Sequence, residues 1–91
     1  MPDYNGYPTE EELRTIAEWP WNDLKGMMEY VRSIWWMPDW GFEETMEGVY
    51  SISTGGWSGN EDIIGAMKDN RVWWSTWWAV HERGGHYKFY K

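Results

Sequence analysis

The sequence predicts a small α+β domain with elements in the order ααββαββ, an antiparallel sheet and helices packed on one of its faces. Three observations lead to this prediction. The first forty residues contain two segments with apolar residues at helical spacing, residues 42–53 change to a short-strand pattern around Gly48, and a Gly-Gly turn divides the strand-like end of the chain. With 91 residues, the chain is expected to form one domain, residues 1–91, in which residues 1–8 are extended.

Caps and apolar faces indicate the first two helices. Thr9 and Glu12 have the spacing of a capping box at the start of a helix over residues 10–19. The second helix is expected to begin at Asn22 or Asp23. Its apolar positions follow the i, i+3, i+4, i+7 pattern and are Leu24, Met27, Met28, Val31, Ile34 and Trp35.

The second half of the chain is predicted to contain strands around one helix. Residues 42–53 favour two short strands joined near Gly48. A glycine-rich loop then leads into a helix, for which Ser58 and Glu61 provide another capping-box match. We interpret residues 71–91 as a strand, a Gly-Gly turn and a second strand.

Composition limits the functional classes. The chain has 10 Trp, 6 Tyr and 2 Phe, enough large apolar side chains for a core in a short chain. The absence of cysteine excludes disulfides, thiolate zinc sites and thiol nucleophiles. A net charge of −7 argues against general nucleic-acid binding. However, residues 1–47 carry −8 and residues 48–91 carry +1, so the second half remains open to an anionic ligand.

The start of the chain, MPDYNGYPTEEEL, has neither a basic region nor an apolar region of a secretory signal. No apolar run approaches the roughly 20 residues that a membrane span requires. We therefore expect a cytoplasmic protein.

The terminal hairpin provides the leading site prediction. A turn of two or four residues would place His81 opposite Lys88, and side chains would then sort by parity onto two faces. The expected core face holds Val72, Trp74, Thr76, Trp78, Val80, Tyr87 and Phe89. The expected ligand-binding face holds Trp73, Trp77, Tyr90, His81, Arg83, His86 and Lys88. Aromatic planes beside basic groups would stack a base and pair its phosphate. The alternative is a solvated sheet face with its tryptophans covered by a helix or a second subunit.

The glycine-rich loop is a second candidate, because glycines before a helix free backbone N–H groups for an anion. Its residues are Gly55, Gly56, Ser58, Gly59 and Asn60. The loop matches neither the P-loop nor the dinucleotide-binding fingerprint, and two carboxylates follow it. A plain strand-to-helix connection is the alternative.

Catalytic motifs are not found. His81 and His86 lack the H-E-x-x-H spacing of a zinc site, and Ser58 lacks the glycine pattern of a nucleophile elbow. The carboxylates of Glu43, Glu44 and Glu47 are typical of a solvated face or of edge protection. We therefore predict a protein that is not an enzyme and that holds no cofactor and no metal.

The segments STGGWSGNEDIIGAM and RGGHYKF resemble an uncharacterised family of small proteins encoded by tailed bacteriophages. The resemblance covers most of residues 50–91, with a fainter likeness in YPTEEEL and WPWNDLKGMMEYVRSIW. It implies a phage protein that acts in the host cytoplasm, where small phage proteins often inhibit host defence. It assigns no functional residue.

Three functional hypotheses follow. The leading one is a non-enzymatic anti-defence protein that sequesters a small nucleotide or cyclic-nucleotide signal on the aromatic and basic face. The first alternative is an acidic protein that inhibits a host defence or DNA-binding protein, and the second is a phage structural or assembly component. We expect no duplex nucleic acid and no membrane as partner. A homodimer or higher homo-oligomer is expected because a short chain carries so much apolar surface.

Overall fold

The computed structural model describes residues 7–82 and 84–90. It confirms the α+β class and the order ααββαββ, to which two short helices are added. The helices are α1 (Glu10–Ala17), α2 (Leu24–Ile34), α3 (Pro38–Gly41), α4 (Ser58–Asp69) and α5 (Arg71–Trp77). The strands are β1 (Phe42–Met46), β2 (Val49–Ser53), β3 (Trp78–Glu82) and β4 (His86–Tyr90).

The four strands form one antiparallel sheet in the order β1-β2-β4-β3. The pairing of β2 with β4 joins the two hairpins, with Ile52 opposite Tyr87. Strands β1 and β3 are the edges, and the register of each shifts by one residue along its length. Such irregular edges disrupt the ladder that another chain would have to extend.

The core lies between the helices and one face of the sheet. Tyr50, Ile52, Tyr87 and Phe89 are buried on that face, whereas the residues between them on β2 and β4 are partly or fully exposed. The helices supply most of the other buried apolar residues, which include Ile16, Leu24, Met27, Met28, Val31, Ile34, Ile63, Ile64, Met67 and Trp73. Fully burying a side chain of this kind contributes about 1.5–3 kcal/mol. On the other sheet face, the described side chains of β2 and β4 are partly or fully exposed.

The starts of α1 and α2 agree with the sequence prediction. Thr9 Oγ1 accepts a hydrogen bond from Glu12 N at 3.0 Å, and Glu12 Oε1 accepts one from Thr9 N at 2.8 Å. Asp23 caps α2 by accepting from Gly26 N at 2.9 Å. These bonds satisfy backbone N–H groups that a helix N-terminus leaves without partners.

The start of α4 differs from the prediction. Trp57 occupies the cap position and makes no side-chain cap bond, so the predicted capping box of Ser58 and Glu61 is wrong. The preceding turn explains the difference, since Trp57 N donates to Thr54 O at 3.0 Å and Glu61 N donates to Trp57 O at 3.0 Å. The helical bonding therefore begins one residue earlier than Ser58.

Residues 71–77 form α5, whereas the sequence analysis predicted a strand. The cause is Asn70, which is buried between α4 and α5. Its side-chain oxygen accepts from Trp73 N at 3.4 Å, and its amide donates to Ile16 O at 3.1 Å and to Trp19 O at 2.8 Å. These contacts tie the start of α5 to the end of α1 and override the strand propensity of valine, threonine and tryptophan.

Candidate functional site

The hairpin of β3 and β4 has a register that differs by one residue from the prediction. Glu82 lies opposite His86, and His81 lies opposite Tyr87, because three residues rather than two or four connect the strands. A shift of one residue moves side chains to the other face. His81 accordingly stacks on Tyr87, with ring centroids 4.3 Å apart. The prediction that His81 shares a face with Lys88 is wrong.

The two tryptophans expected to provide stacking planes have other roles. Trp73 is fully buried in α5, with its ring 5.5 Å from that of Phe89, and its Nε1–H donates to Asp23 O at 3.4 Å. Trp77 is half-buried, and its Nε1–H donates to Trp21 O at 2.6 Å. The prediction that Trp73 lies on an open sheet face is wrong, because this residue belongs to the core.

The predicted core face is only partly correct. Tyr87 and Phe89 are buried as expected, and half-buried Trp74 packs edge-on against both rings, at 6.2 and 5.5 Å between centroids. The side chain of Trp78 lies outside the described part of the chain. Three residues that were predicted to be buried are exposed, namely Val72, Thr76 and Val80.

Three predicted ligand-binding residues do lie together on the open face. His86, Lys88 and Tyr90 occupy alternate positions of β4 and are exposed. His86 Nδ1 is hydrogen-bonded to Ser53 Oγ at 2.5 Å. Arg83 lies outside the described residues. The structure therefore brings together one aromatic ring and two basic or near-basic groups, which is a smaller set than predicted.

The glycine-rich loop forms a turn that leads to Asn60. Gly55 and Gly56 have φ angles of 65° and 75°, which favour glycine, and Gly59 is buried in the first turn of α4, while Ser58 is exposed. Anion binding by this loop stays a prediction.

Asn60 is buried, and both the oxygen and the nitrogen of its carboxamide form hydrogen bonds with the backbone. Its Oδ1 accepts from Trp36 N at 2.9 Å, and its Nδ2 donates to Trp36 O at 3.2 Å and to Thr54 O at 3.3 Å. Both amide protons are therefore engaged within the chain. The side chain of Asn60 has a structural role.

The bonds of Asn60 create a surface that the sequence analysis did not predict. We call it the aromatic patch and define it as Tyr7, Trp36, Met37 and Trp57. The rings of Trp36 and Trp57 stack with centroids 4.5 Å apart, and the ring of Tyr7 lies 5.2 Å from that of Trp57. The side chains of Trp36 and Met37 are 40% and 53% exposed. The patch is thus a contiguous set of large apolar groups at the surface.

Met37 has an unusual backbone conformation, with φ 56° and ψ 59°. Among the described residues it is the one non-glycine residue with a positive φ. The left-handed conformation costs a residue of this type roughly 1–2 kcal/mol. Beside it lies a pocket of about 220 Å³ lined by Trp36, Met37, Thr54, Gly55 and Asn60. A cavity of roughly 150 Å³ holds benzene, so this pocket has room for one aromatic ring.

A longer depression lies between α2 and the β1–β2 hairpin, and we call it the acidic groove. It consists of two pockets of about 430 and 270 Å³, both lined by Glu44 and Tyr50. Its buried floor is formed by Leu24, Met28, Phe42 and Tyr50. Its rim is formed by Lys25, Glu29, Arg32, Glu44, Met46, Glu47 and Gly48.

The charges of the groove affect the phenol on its floor. Burial raises the pKa of Tyr50, and the negative charges of Glu44 and Glu29 raise it further. Arg32 is directed to other partners, since its guanidinium lies 3.4 Å from Asp39 Oδ1 and donates to Phe42 O at 3.3 Å. The phenol therefore experiences a negative potential.

Comparison of the chain with protein-family models, curated proteins and solved structures gives no match. Within residues 7–82 and 84–90, no helix is long and apolar enough to cross a membrane. The same residues include no group of three histidine or acidic side chains placed to hold a metal ion.

The sequence contained one signal for the aromatic patch. Trp36 and Met37 follow Trp35, the last residue of the apolar pattern predicted for the second helix, and fall outside that pattern. Large apolar residues outside a core pattern indicate a surface that could contact another molecule. The stacking with Trp57 depends on tertiary contacts and has no local signal.

Proposed function

We propose that this protein binds another protein through the aromatic patch. The observation that carries the proposal is the left-handed backbone of Met37. The neighbouring residue, Trp36, has its backbone N–H and C=O hydrogen-bonded to buried Asn60. Strained backbone persists where the surrounding structure enforces it, and such strain is concentrated at binding and catalytic sites. In this protein the strained backbone of Met37 leaves the side chains of Trp36 and Met37 exposed and does not bury them in the core.

The chemistry of the patch favours a protein surface as its partner. Tryptophan, tyrosine and methionine are enriched at interface cores, and tryptophan is enriched among residues whose truncation weakens binding most. The pocket beside Met37 would accept one aromatic or aliphatic side chain of the partner. The net charge of −7 favours a basic partner, because complementary charge increases the association rate.

This proposal develops the alternative in which an acidic protein inhibits a host protein. Under the phage resemblance, the partner would be a bacterial defence or DNA-binding protein. Nucleotide sequestration stays a prediction, but two of the three aromatic residues assigned to it, Trp73 and Trp77, are not on the open face with Tyr90.

Two exposed tryptophans provide a matched test. Trp36 is 40% exposed within the patch, and Trp21 is 54% exposed outside it. The immobilised protein is expected to retain a stoichiometric partner from bacterial host lysate. Trp36→Ala should weaken this binding by about thirtyfold or more, because truncating a central tryptophan typically costs roughly 2 kcal/mol or more.

The control variant Trp21→Ala should retain the partner, because Trp21 lies outside the aromatic patch. It should also stay folded, because the hydrogen bond from Trp77 Nε1–H is made to the backbone oxygen of Trp21, which the substitution keeps. Circular dichroism would establish that both variants are folded. Retention of no partner, or equal retention by Trp36→Ala and the unmodified protein, would contradict the proposal.

A further inference from the structure

We infer that the acidic groove is a second docking site, which accepts a basic and partly apolar segment of a protein partner. The groove is formed by α2 and the β1–β2 hairpin, and its lining residues differ from those of the aromatic patch. The inference therefore goes beyond the proposed function and does not depend on it.

The groove has the shape of a site for an extended segment. Its two pockets meet at Glu44 and Tyr50, and on α2 the lining runs from Leu24 to Arg32. Eight residues of helix at a rise of 1.5 Å per residue span about 12 Å. An extended chain advances about 3.3 Å per residue, so roughly four residues would fit along this length.

The floor and the rim differ in chemistry. Leu24, Met28 and Phe42 form the floor and are already buried, so the apolar surface open to an occupant lies mainly on the rim. Met46 is 66% exposed on the rim, where a partner would cover it. A purely polar ion would leave the exposed side chain of Met46 in water, whereas apolar side chains or lysine methylene groups would cover it, which favours an amphipathic occupant.

The charges specify a basic occupant. Glu29, Glu44 and Glu47 line the groove, and in the described part of the chain no ion pair neutralises them. Of the two cations on the rim, Arg32 is paired with Asp39. The raised pKa of Tyr50 agrees with this geometry, because Glu44 and Glu29 contribute to it after burial. A lysine or arginine placed between these carboxylates would be attracted, whereas an acidic segment would be repelled.

The test uses a short blocked peptide of alternating lysine and leucine as the probe, with a peptide of alternating glutamate and leucine as the control. Binding is measured by fluorescence anisotropy at low and at physiological ionic strength. The lysine peptide is expected to bind and to bind less tightly as salt is added. The glutamate peptide is expected not to bind.

Two double variants distinguish the effect of the groove carboxylates on peptide affinity from the effect of the net charge of the protein. Glu29→Gln/Glu47→Gln removes two charges from the groove, and Glu43→Gln/Glu82→Gln removes two exposed charges outside the groove lining. The groove variant should bind the lysine peptide about tenfold more weakly or worse, and the control variant should change the affinity less than about twofold. Trp36→Ala should leave this affinity unchanged, so that the two proposals fail separately.

Three results would overturn the inference. The first is no binding of the lysine peptide, and the second is equal binding of the glutamate peptide. The third is equal weakening by the two double variants, which would mean that net charge alone attracts the probe.

Discussion

Single residues in this protein connect segments that are far apart in the sequence. Asn60 holds the backbone of Trp36 across 24 positions, and Asn70 binds Ile16 O across 54 positions. Both asparagines are buried, so their hydrogen bonds compensate for the loss of contact with water. These roles have no signal in the sequence, because asparagine is equally typical of exposed turns and helix ends.

Replacement of Asn60 by alanine is expected to destabilise the protein by about 2–3 kcal/mol. The change leaves Trp36 N–H and two carbonyl oxygens without their partner, and a buried polar group without a partner costs roughly 1–3 kcal/mol. The free energy of unfolding in urea measures the effect. The control is Asn22→Ala at an exposed position, where a change within about 0.5 kcal/mol is expected. Equal losses in the two variants would contradict the role assigned to Asn60.

At the scale of elements, residue spacing alone does not distinguish α5 from a strand. Trp73 and Trp77 are four positions apart, which places two side chains on one side of a helix and also on one face of a strand. The choice depends on Asn70, which anchors the first turn of α5 to α1. By contrast, the alternation in β4 is local, and its buried residues were predicted correctly.

The turn between β3 and β4 provides a test at this scale. Gly84 and Gly85 have φ angles of 83° and 78°, so alanine is strained at either position. A Cβ at Gly85 would also clash with Thr54 Oγ1, whereas at Gly84 the nearest atoms belong to the His86 ring at 3.5 Å. Gly85→Ala should therefore lower the free energy of unfolding by about 1–3 kcal/mol more than Gly84→Ala. Equal urea midpoints would show that the close approach of Thr54 does not constrain the turn.

At the scale of the whole molecule, helices cover one sheet face, and the described side chains of β2 and β4 on the other face are partly or fully exposed. Exposed apolar side chains remain at Met46, Val80 and Tyr90, on or beside the sheet. This surface is available to a second copy of the chain, and the expected homo-oligomer stays a prediction. Edge-to-edge association is disfavoured, because the irregular edge strand β1 carries exposed Glu43 and Glu44.

The stability of the whole fold is expected to fall at alkaline pH. Burial raises the pKa of Tyr50 and of Tyr87, and the charges of Glu44 and Glu61, respectively, raise these pKa values further. Since the folded state binds these protons more tightly than the unfolded state does, their stabilising effect is complete below about pH 10. It is lost as the pH rises from about 10 through the raised pKa values.

Urea midpoints measured from about pH 9 upward test this expectation. The double variant Tyr50→Phe/Tyr87→Phe cannot ionise at these positions and should show a smaller loss of stability with pH. An equal pH dependence in the variant and the unmodified protein would assign the effect to other groups.

The sequence by itself determined the α+β class, the start of α1 at Thr9, the start of α2 at Asn22 or Asp23 and the turn near Gly48. These features depend on hydrogen bonds and side-chain periodicity within a few residues, so local patterns contain them. The tertiary structure decided the helix over residues 71–77, the aromatic patch and the acidic groove. Each of these depends on contacts between distant segments, and no local pattern contains such contacts.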